Sequence, residues 1–379
     1  MKIAYLASIR LPTEKAHGGA IMSLCNAFSK AGHEVELIIP ARENTITEDP
    51  FNYYKIPHSF KITTLALPVI RTNTRIGFVL SVLMFAVKVQ TYMRGKSVDM
   101  YYTRDVFVTL FLRRDTVRIF EIHEQIGSFR WLIAKFGPSH IVTTTDAMHR
   151  LCVERGIRKE RVLTAQNGVD DIFFDEHSSE FIQHSREVIG VPLNSFVFGY
   201  IGAFRNMGVS KGVEGIIQAF AVLSSRYPNT RLLLVGVGSS GREYVQLSVE
   251  KGVIPKGFII VVDHVPRHKV PIYLFSCDSV VMNYLKDTLH EKYASTLKVF
   301  EYMASGVPIV SSDLPSVREI LDDTNAKLVA ANDIAELVAG MEETMLEFGT
   351  AVARGAKARK DAKKYTWIAR ANLIIEKIH

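Results

Sequence analysis

The chain has 379 residues, which is too long for one ordinary domain of about 100–200 residues and favours two α/β domains of similar size. Hydrophobic residues make up 47% of the chain and charged residues 22%, which excludes wholesale disorder. The formal net charge of +7 suits an acidic partner such as a phosphate or an anionic membrane, but it is too small to indicate nucleic-acid binding.

The first half of the chain alternates short apolar runs with longer amphipathic stretches, a pattern typical of parallel sheets with crossover helices. A strand is predicted at 2–7, followed by a loop that contains Gly18 and Gly19 and by a helix over 20–31. Further strands of this half are predicted at 34–39, 100–102, 116–119 and 140–143.

The same alternation restarts near residue 196. Strands are predicted at 196–201, 231–235, 258–262, 279–282 and 308–311, and helices at 213–226 and 243–251. The polar segment 175–191 separates the two patterns, so the expected domains are residues 1–180 and 181–364. The last helix, over about residues 365–379, follows the second sheet and is expected to fold back on the first domain.

Neither a targeting signal nor a membrane-spanning helix is expected from the sequence. The sequence opens with an apolar strand and shows no signal-peptide pattern, and its most apolar stretch, 76–87, is shorter than the about 20 residues that a membrane-spanning helix needs. The three cysteines, Cys25, Cys152 and Cys277, are too widely spaced for a disulfide framework or a structural zinc site, and they favour a reducing, cytoplasmic location.

Two basic residues, Arg205 and Lys211, lie in the loop that follows the 196–201 strand. Ligands of open α/β folds bind beyond the carboxyl ends of the strands, and the helix that begins after Gly212 adds unpaired N–H groups and partial positive charge. The sequence therefore predicts a diphosphate site, with solvated loop charges as the alternative.

A second candidate is the helix predicted between Ser295, a suitable N-cap, and Gly306, a suitable C-terminal stop. Its first amides, at Thr296 and Leu297, are placed to hold another phosphate oxygen. Glu301 lies about 7.5 Å farther along the axis, near the distance from a diphosphate to its ribose. Its carboxylate is suited to accept the ribose hydroxyls, and an ordinary surface charge is the alternative.

Two further segments allow more than one interpretation. Gly236, Gly238 and Gly241 follow the 231–235 strand in the spacing of a dinucleotide-binding turn, which indicates a nicotinamide-dependent oxidoreductase as an alternative function. The turn belongs to the second strand–helix unit of its half rather than the first, which disfavours that function. His123 follows the 116–119 strand and is either a substrate-contacting or acid–base histidine or an ordinary loop residue.

Taken together, these segments resemble the retaining glycosyltransferases of the GT-B fold, in the large family that includes sucrose synthases and bacterial mannosyl-, glucosyl- and N-acetylglucosaminyltransferases. The resemblance runs nearly end to end, through the Gly18-Gly19 loop, the Asn-Gly-Val-Asp turn at 167–170, the Gly202, Arg205 and Lys211 segment, and the segment 300–310. It implies two Rossmann-like parallel-sheet domains that face each other across a cleft, the first binding the acceptor and the second the nucleotide-diphosphate sugar.

The resemblance also implies residue roles. Arg205 and Lys211 match the basic pair that stabilises the donor diphosphate, and His123 is similar to the histidine near the donor sugar's hydroxymethyl group. Glu301 resembles the second carboxylate of the family's paired-Glu motif, which holds the ribose. The first carboxylate of that motif stands eight residues earlier, where this chain has Tyr293, and this departure bears on donor identity.

On the same resemblance, the Gly18-Gly19 backbone closes on the diphosphate, and the N-terminal residues Thr296 and Leu297 of the second candidate helix contact the donor. The implied reaction transfers a sugar from a UDP-, GDP- or ADP-linked donor to an acceptor hydroxyl with retention of configuration, without a metal or another cofactor. A non-catalytic sugar-nucleotide-binding partner of another transferase is the alternative that Tyr293 motivates.

The acceptor implied by the resemblance is a carbohydrate or a lipid-linked group, in polysaccharide, glycolipid or glycoconjugate synthesis. The apolar stretch 76–87 carries basic residues at both ends. It either docks on an anionic membrane as an interfacial helix at the cytoplasmic face or is a buried helix of the first domain.

Overall fold

The computed structural model describes residues 1–68, 75–175, 178–206, 209–286, 289–293 and 295–378. It divides into two compact units, the first comprising Met1–Gly168, Tyr293–Ser295 and Trp367–His379, and the second Val169–Lys292 and Thr296–Thr366. The division follows Gly168 rather than residue 180. The polar segment taken for a boundary contributes a helix to the second unit, where Arg186 pairs with Asp278 at 2.8 Å.

The first unit is built on a seven-stranded parallel sheet with the strand order β3-β2-β1-β4-β5-β6-β7. Its strands are β1 (Lys2–Leu6), β2 (Glu34–Pro40), β3 (Lys61–Leu65), β4 (Met100–Thr103), β5 (Val117–Ile122), β6 (His140–Thr143) and β7 (Val162–Thr164). Its helices up to this point in the chain are α1 (Ala16–Lys30), α2 (Pro50–Tyr54), α3 (Arg75–Tyr92), α4 (Ser128–Phe136) and α5 (Asp146–Glu154).

The glycines at the start of α1 differ from the prediction. Gly18 and Gly19 lie in the first turn of the helix, which begins at Ala16, so the predicted loop is wrong at this point. The physical reason is packing, because a Cβ added to Gly18 would overlap the Tyr54 hydroxyl and the Thr13 side chain. A pair of glycines reads as a loop in the sequence, whereas here it permits close approach of a helix to its neighbours.

Helix α3 contains the apolar stretch 76–87. Four side chains of its inner face, Val82, Phe85, Ala86 and Val89, are fully buried in the first unit's core. This agrees with the interpretation of the stretch as a buried helix of the first domain. No helix among the described residues combines the length and apolar character needed to cross a bilayer.

The second unit is built on a six-stranded parallel sheet with the order β12-β11-β8-β13-β14-β15, and it also carries a two-stranded antiparallel hairpin, β9-β10. The strands are β8 (Phe196–Ile201), β9 (Arg205–Asn206), β10 (Val209–Ser210), β11 (Thr230–Val235), β12 (Ile259–Val262), β13 (Ser279–Met282), β14 (Ile309–Asp313) and β15 (Lys327–Ala330). The helices are α6 (Ser179–Ile189), α7 (Val213–Arg226), α8 (Gly238–Glu250), α9 (Val270–Phe275), α10 (Leu289–Lys292), α11 (Leu297–Ser305), α12 (Pro315–Arg318), α13 (Ile334–Leu346) and α14 (Phe348–Ala362).

The C-terminal helix α15 (Trp367–Ile378) belongs to the first unit. The Trp367 ring lies against Gly168, where an added Cβ would come within 2.5 Å of the ring. Arg370 donates hydrogen bonds of 2.6 Å to the carbonyl oxygens of Ala165 and Gln166 just after β7. These contacts anchor α15 beyond the carboxyl end of the first sheet.

Candidate functional site

The two predicted cations, Arg205 and Lys211, follow the carboxyl end of β8, and they differ in burial and in ion pairing. The exposed Arg205 in β9 forms an ion pair of 2.9 Å with Glu214 in the first turn of α7. Lys211 is partly buried just before α7, and burial lowers the pKa of its ammonium group. No carboxylate of the described residues forms an ion pair with Lys211. Of these two predicted cations, Lys211 is therefore the one whose charge is not neutralised by a described carboxylate.

Helix α11 begins one residue later than the Ser295 cap predicts. Its N-cap is Thr296, whose hydroxyl lies 2.5 Å from that of Tyr284 and makes no capping bond to the helix amides. Ser295 belongs to the first unit, where its carbonyl accepts a hydrogen bond of 2.8 Å from the Asn167 amide. The positive end of the α11 dipole at Leu297 thus lacks a side-chain cap, as an anion site requires.

Lys298 lies in the first turn of α11, and the sequence alone assigns it no role. Its side chain lies in the second unit with its ammonium nitrogen 3.7 Å from the centroid of the Tyr200 ring. That nitrogen is buried and has no hydrogen-bond partner among the described residues. Burial and the nearby charge of Lys211 lower its pKa well below the ordinary value, against the opposing attraction of Glu301. In the sequence, Lys298 is a lysine within an apolar helical segment. Such a lysine is usually exposed, so the pattern alone does not indicate a buried ammonium group.

Glu301 is not the surface charge that the sequence left open, because its residue is only 9% exposed. Its carboxylate pairs with Arg267 at 2.8 Å, and the Arg267 Nε donates to Asp170 at 2.8 Å. Burial is the largest cause of the raised pKa of Glu301, which Asp170 raises further and Arg267 and Lys298 oppose. The 167–170 turn therefore contributes a charged partner through Asp170.

In the first unit, the residues around His123 form a buried polar cluster centred on Glu121. The Glu121 carboxylate lies within β5 and contacts Arg104 and Arg370 at 2.9 Å each, as well as His123 Nε2 and the Tyr102 hydroxyl. Burial raises the pKa of Glu121, but Arg104, Arg370 and His123 together lower it more, so the pKa lies well below its ordinary value.

His123 is thus held by an ionised carboxylate rather than lying free in a loop. Burial and the charge of Arg104 lower its pKa, despite the opposing influence of Glu121. His17, in the first turn of α1 beside Gly18, has its pKa lowered to about 4 by burial and then by Arg104, Lys15 and His123. The imidazole of His17 is therefore neutral at pH 7.

Tyr293 occupies the position where the resemblance places the first carboxylate. Its ring is partly buried and packs against the hydrophobic core of the first unit. An ionised carboxylate at this position would meet apolar side chains, which explains in physical terms why an aromatic residue stands there.

The glycine-rich turn after β11 has an ordinary packing explanation. Gly236 and Gly238 have φ values of +80° and +67°, which side chains rarely adopt, and α8 begins at Gly238. A Cβ at Gly241 would come within 2.5 Å of Val237. Tight turning and close packing account for all three glycines without a dinucleotide.

In the described parts of the chain, no group of three His, Cys, Asp or Glu side chains is arranged to hold a metal ion. The three free thiols are buried in the cores of the two units.

Several known proteins are similar to parts of this chain in sequence. Residues 195–346 match the family described as Glycosyl transferases group 1. The chain is 24% identical over 214 residues to a D-inositol 3-phosphate glycosyltransferase of Corynebacterium jeikeium (strain K411), covering 55% of this chain and 49% of the relative. It is 27% identical over 174 residues to the O-antigen chain mannosyltransferase B of Escherichia coli, covering 45% and 42%. The chain spans about half the length of the curated relatives it matches.

Two solved structures show the same fold over nearly their whole length. Anabaena HepE in complex with UDP matches with a TM-score of 0.77 at 16% identity, covering 99% of both chains. Sucrose-phosphate synthase from Thermosynechococcus elongatus matches with a TM-score of 0.75 at 16% identity, covering 99% of this chain and 98% of that one. The predicted architecture of two parallel-sheet α/β domains is confirmed. The chain therefore has the fold of these GT-B glycosyltransferases, and its residues 195–346 match the group 1 family.

Proposed function

We propose that this protein transfers a sugar from a nucleotide-diphosphate sugar to an acceptor hydroxyl with retention of anomeric configuration. The observation that carries this proposal is Lys211, which forms no ion pair with a carboxylate of the described residues and lies in the second unit, at the carboxyl edge of a sheet within the group 1 domain. The structures of Anabaena HepE with UDP and with UDP-glucose support a nucleotide sugar as donor.

The proposed chemistry follows from charge. As the bond between the sugar C1 and the phosphate oxygen breaks, the sugar becomes oxocarbenium-like and its bonding electrons stay on the departing diphosphate. Lys211 and the amino end of α11, at Thr296 and Leu297, present positive potential to that developing charge. The acceptor oxygen then bonds to C1 on the same face, and its proton passes to a phosphate oxygen. No metal or other cofactor takes part in this scheme.

We assign roles to the other candidate site residues from their positions in the two units. We assign Glu301, buried and paired with Arg267, to the ribose hydroxyls. Arg205 is assigned to the diphosphate once it exchanges Glu214 for the ligand. In the first unit, His123 is assigned to the donor sugar's hydroxymethyl group, and the first-turn amides of α1 at Gly18 and Gly19 to the diphosphate.

A thermal-shift screen tests this function against its alternatives. We expect one of UDP-glucose, GDP-mannose and ADP-glucose to raise the melting temperature, because a ligand at about 100 times its Kd adds about 2.7 kcal/mol to the stability of the folded protein. NAD and NADH at the same concentration should leave it unchanged. A shift with NAD alone would instead support an oxidoreductase that uses the turn containing Gly236.

The non-catalytic alternative is separated by turnover. A transferase should release the nucleoside diphosphate from its bound donor, through slow hydrolysis or through transfer to added acceptors. Donor binding without any release of nucleoside diphosphate, even at high enzyme concentration, would indicate a sugar-nucleotide-binding partner. Tyr293 would then be interpreted as a replacement that removes activity.

For the acceptor side, we propose that the first unit contacts an anionic membrane at the cytoplasmic face and takes a carbohydrate or lipid-linked acceptor there. Because α3 packs its inner face into the core, the supporting surface is α4, where Phe129, Leu132 and Phe136 are 67%, 55% and 69% exposed. Their spacing places them on one helix face, and Arg130 and Lys135 on the same helix supply positive charge.

Vesicle co-sedimentation tests this surface. We expect binding to phosphatidylglycerol vesicles and little binding to phosphatidylcholine vesicles. Replacing Phe129 and Phe136 by serine should lower partitioning at least about tenfold, because each buried aromatic contributes about 1.5–3 kcal/mol. Leu346→Ser, at an exposed apolar position of the second unit, is the matched control. Equal sedimentation of all three proteins would remove α4 from the proposal.

A further inference from the structure

We infer that Lys298 is a donor-binding residue whose ammonium group binds the diphosphate together with Lys211. This inference rests on the proposed function, and it adds a cation that neither the sequence resemblance nor the comparisons assign. It concerns the second unit alone, where both lysines lie.

The first argument is the burial of an ammonium group without a partner. Lys298 is 8% exposed, and its nitrogen makes no hydrogen bond within the described part of the chain. An ammonium has three donors, and burying it unpaired is costly, so such a group persists where a ligand supplies the missing acceptors. The Tyr200 ring at 3.7 Å stabilises the cation in part but accepts no conventional hydrogen bond.

The second argument is the local distribution of charge. Arg205 is paired with Glu214, and Arg267 is shared between Glu301 and Asp170. Lys211 and Lys298 remain, and each lacks a carboxylate partner among the described residues. Their like charges lie close enough for Lys211 to lower the pKa of Lys298. Two neighbouring cations match the two negative charges of a diphosphate diester.

The third argument is location. Lys298 is the second residue of α11, at the positive end of that helix dipole. Its nitrogen lies only 2.8 Å from the position that a Cβ at Gly202 would take, and Gly202 follows directly on β8. A side chain at residue 202 would displace the ammonium group, so the glycine leaves it at the carboxyl edge of the sheet. Ligands of this fold class bind at that edge.

A purely structural role explains less. The neighbours Val299 and Phe300 are buried and apolar, so a methionine would fill the same space without burying a charge. If Lys298 served packing alone, its replacement would change stability or the affinity for every ligand equally. Binding of a diphosphate instead predicts a loss specific to phosphate.

Isothermal titration of the full chain measures this difference. UDP, GDP and ADP are titrated, each beside its own nucleoside, into wild type, Lys298→Met, Lys298→Arg and the exposed control Lys256→Met. We expect Lys298→Met to raise the Kd of the tightest diphosphate at least tenfold and that of its nucleoside less than twofold. Lys298→Arg should keep most of the affinity. Glu301→Gln, at the assigned ribose contact, should weaken both ligands.

The outcomes separate the two proposals. If wild type binds none of the three diphosphates, the proposed function fails and this inference fails with it. If wild type binds one and Lys298→Met binds it within twofold, only the inference fails. An equal loss for diphosphate and nucleoside also overturns it. Should the Met variant not fold, the ratio of the diphosphate to the nucleoside Kd in Lys298→Gln decides by the same criterion.

Discussion

Replacing Lys211 by alanine is expected to lower kcat/KM for the nucleotide sugar by about 10²–10³-fold, because removing one preorganised donor to a developing anion costs about 3–4 kcal/mol in the barrier. Arg205 is half exposed and partnered by Glu214, whereas Lys211 is partly buried and no carboxylate of the described residues pairs with it. The charge of Lys211 is therefore available to the leaving diphosphate and acts in a less polar environment.

Steady-state kinetics with the donor found in the thermal-shift screen measures this effect. The exposed Lys256→Ala variant in the same unit should behave as wild type, which separates a local loss from a change in net charge. If Lys211→Ala retained kcat/KM within threefold, the diphosphate would have to bind elsewhere, and the assignment of the carboxyl edge of β8 would be wrong.

Replacing Arg370 by methionine is expected to lower the free energy of unfolding of the first unit by about 3–5 kcal/mol, because it leaves a buried carboxylate with one cation fewer. Arg370 pairs with the fully buried Glu121 at 2.9 Å and also bonds the carbonyls of Ala165 and Gln166. The variant loses the anchor of α15 together with half of the charge compensation of Glu121.

Urea denaturation followed by tryptophan fluorescence measures this loss, since Trp131 and Trp367 both lie in the first unit. The exposed Arg150→Met variant in α5 is the control. A double variant, Glu121→Gln with Arg370→Met, should be less stable than Arg370→Met, because Arg104 would then be buried without the Glu121 carboxylate that it contacts at 2.9 Å. Equal stability of Arg370→Met and wild type would show that the pair contributes nothing.

The stabilisation that Glu121 contributes depends on pH, and the direction of this dependence follows from its lowered pKa. The pKa of Glu121 is lower in the folded protein than in the unfolded chain, so its pairing stabilises the fold fully above the ordinary pKa of a glutamate. That stabilisation is lost as the pH falls through the lowered value. Acid should therefore reduce the difference in stability between wild type and Arg370→Met.

Hydrophobic patterning predicted the buried elements well. The strands β6, β8 and β13, none of them at a sheet edge, and the helix α7 have the bounds expected from their apolar runs. The strands β3, β7 and β15 were not predicted, and all three lie at or near the edge of a sheet. An edge strand is covered less than a central one and carries polar residues such as Lys61 and Thr63, so its pattern differs little from that of a loop.

The residues of the candidate site also differ in whether the sequence pattern indicates them. Lys211 and Glu301 were predicted as site residues because they follow a predicted strand and a predicted helix cap at fixed spacings. Lys298 could not be recognised in this way, because a lysine in a helix is ordinarily exposed. Its unpartnered burial depends on Tyr200 and Gly202, which are far from it in the chain.

The sequence by itself determined the two-domain α/β architecture, most buried strands, the loop that carries Lys211 and the helix that carries Glu301, since these follow from local periodicity and from where strands end. Only the tertiary structure decided which charges are compensated. Arg267 joins Asp170 to Glu301, and Arg370 reaches Glu121 across 249 positions of sequence. Pairing depends on which side chains burial brings together, and no local pattern encodes that. That Lys211 and Lys298 form no ion pair with a carboxylate in the described part of the chain is therefore a property of the fold.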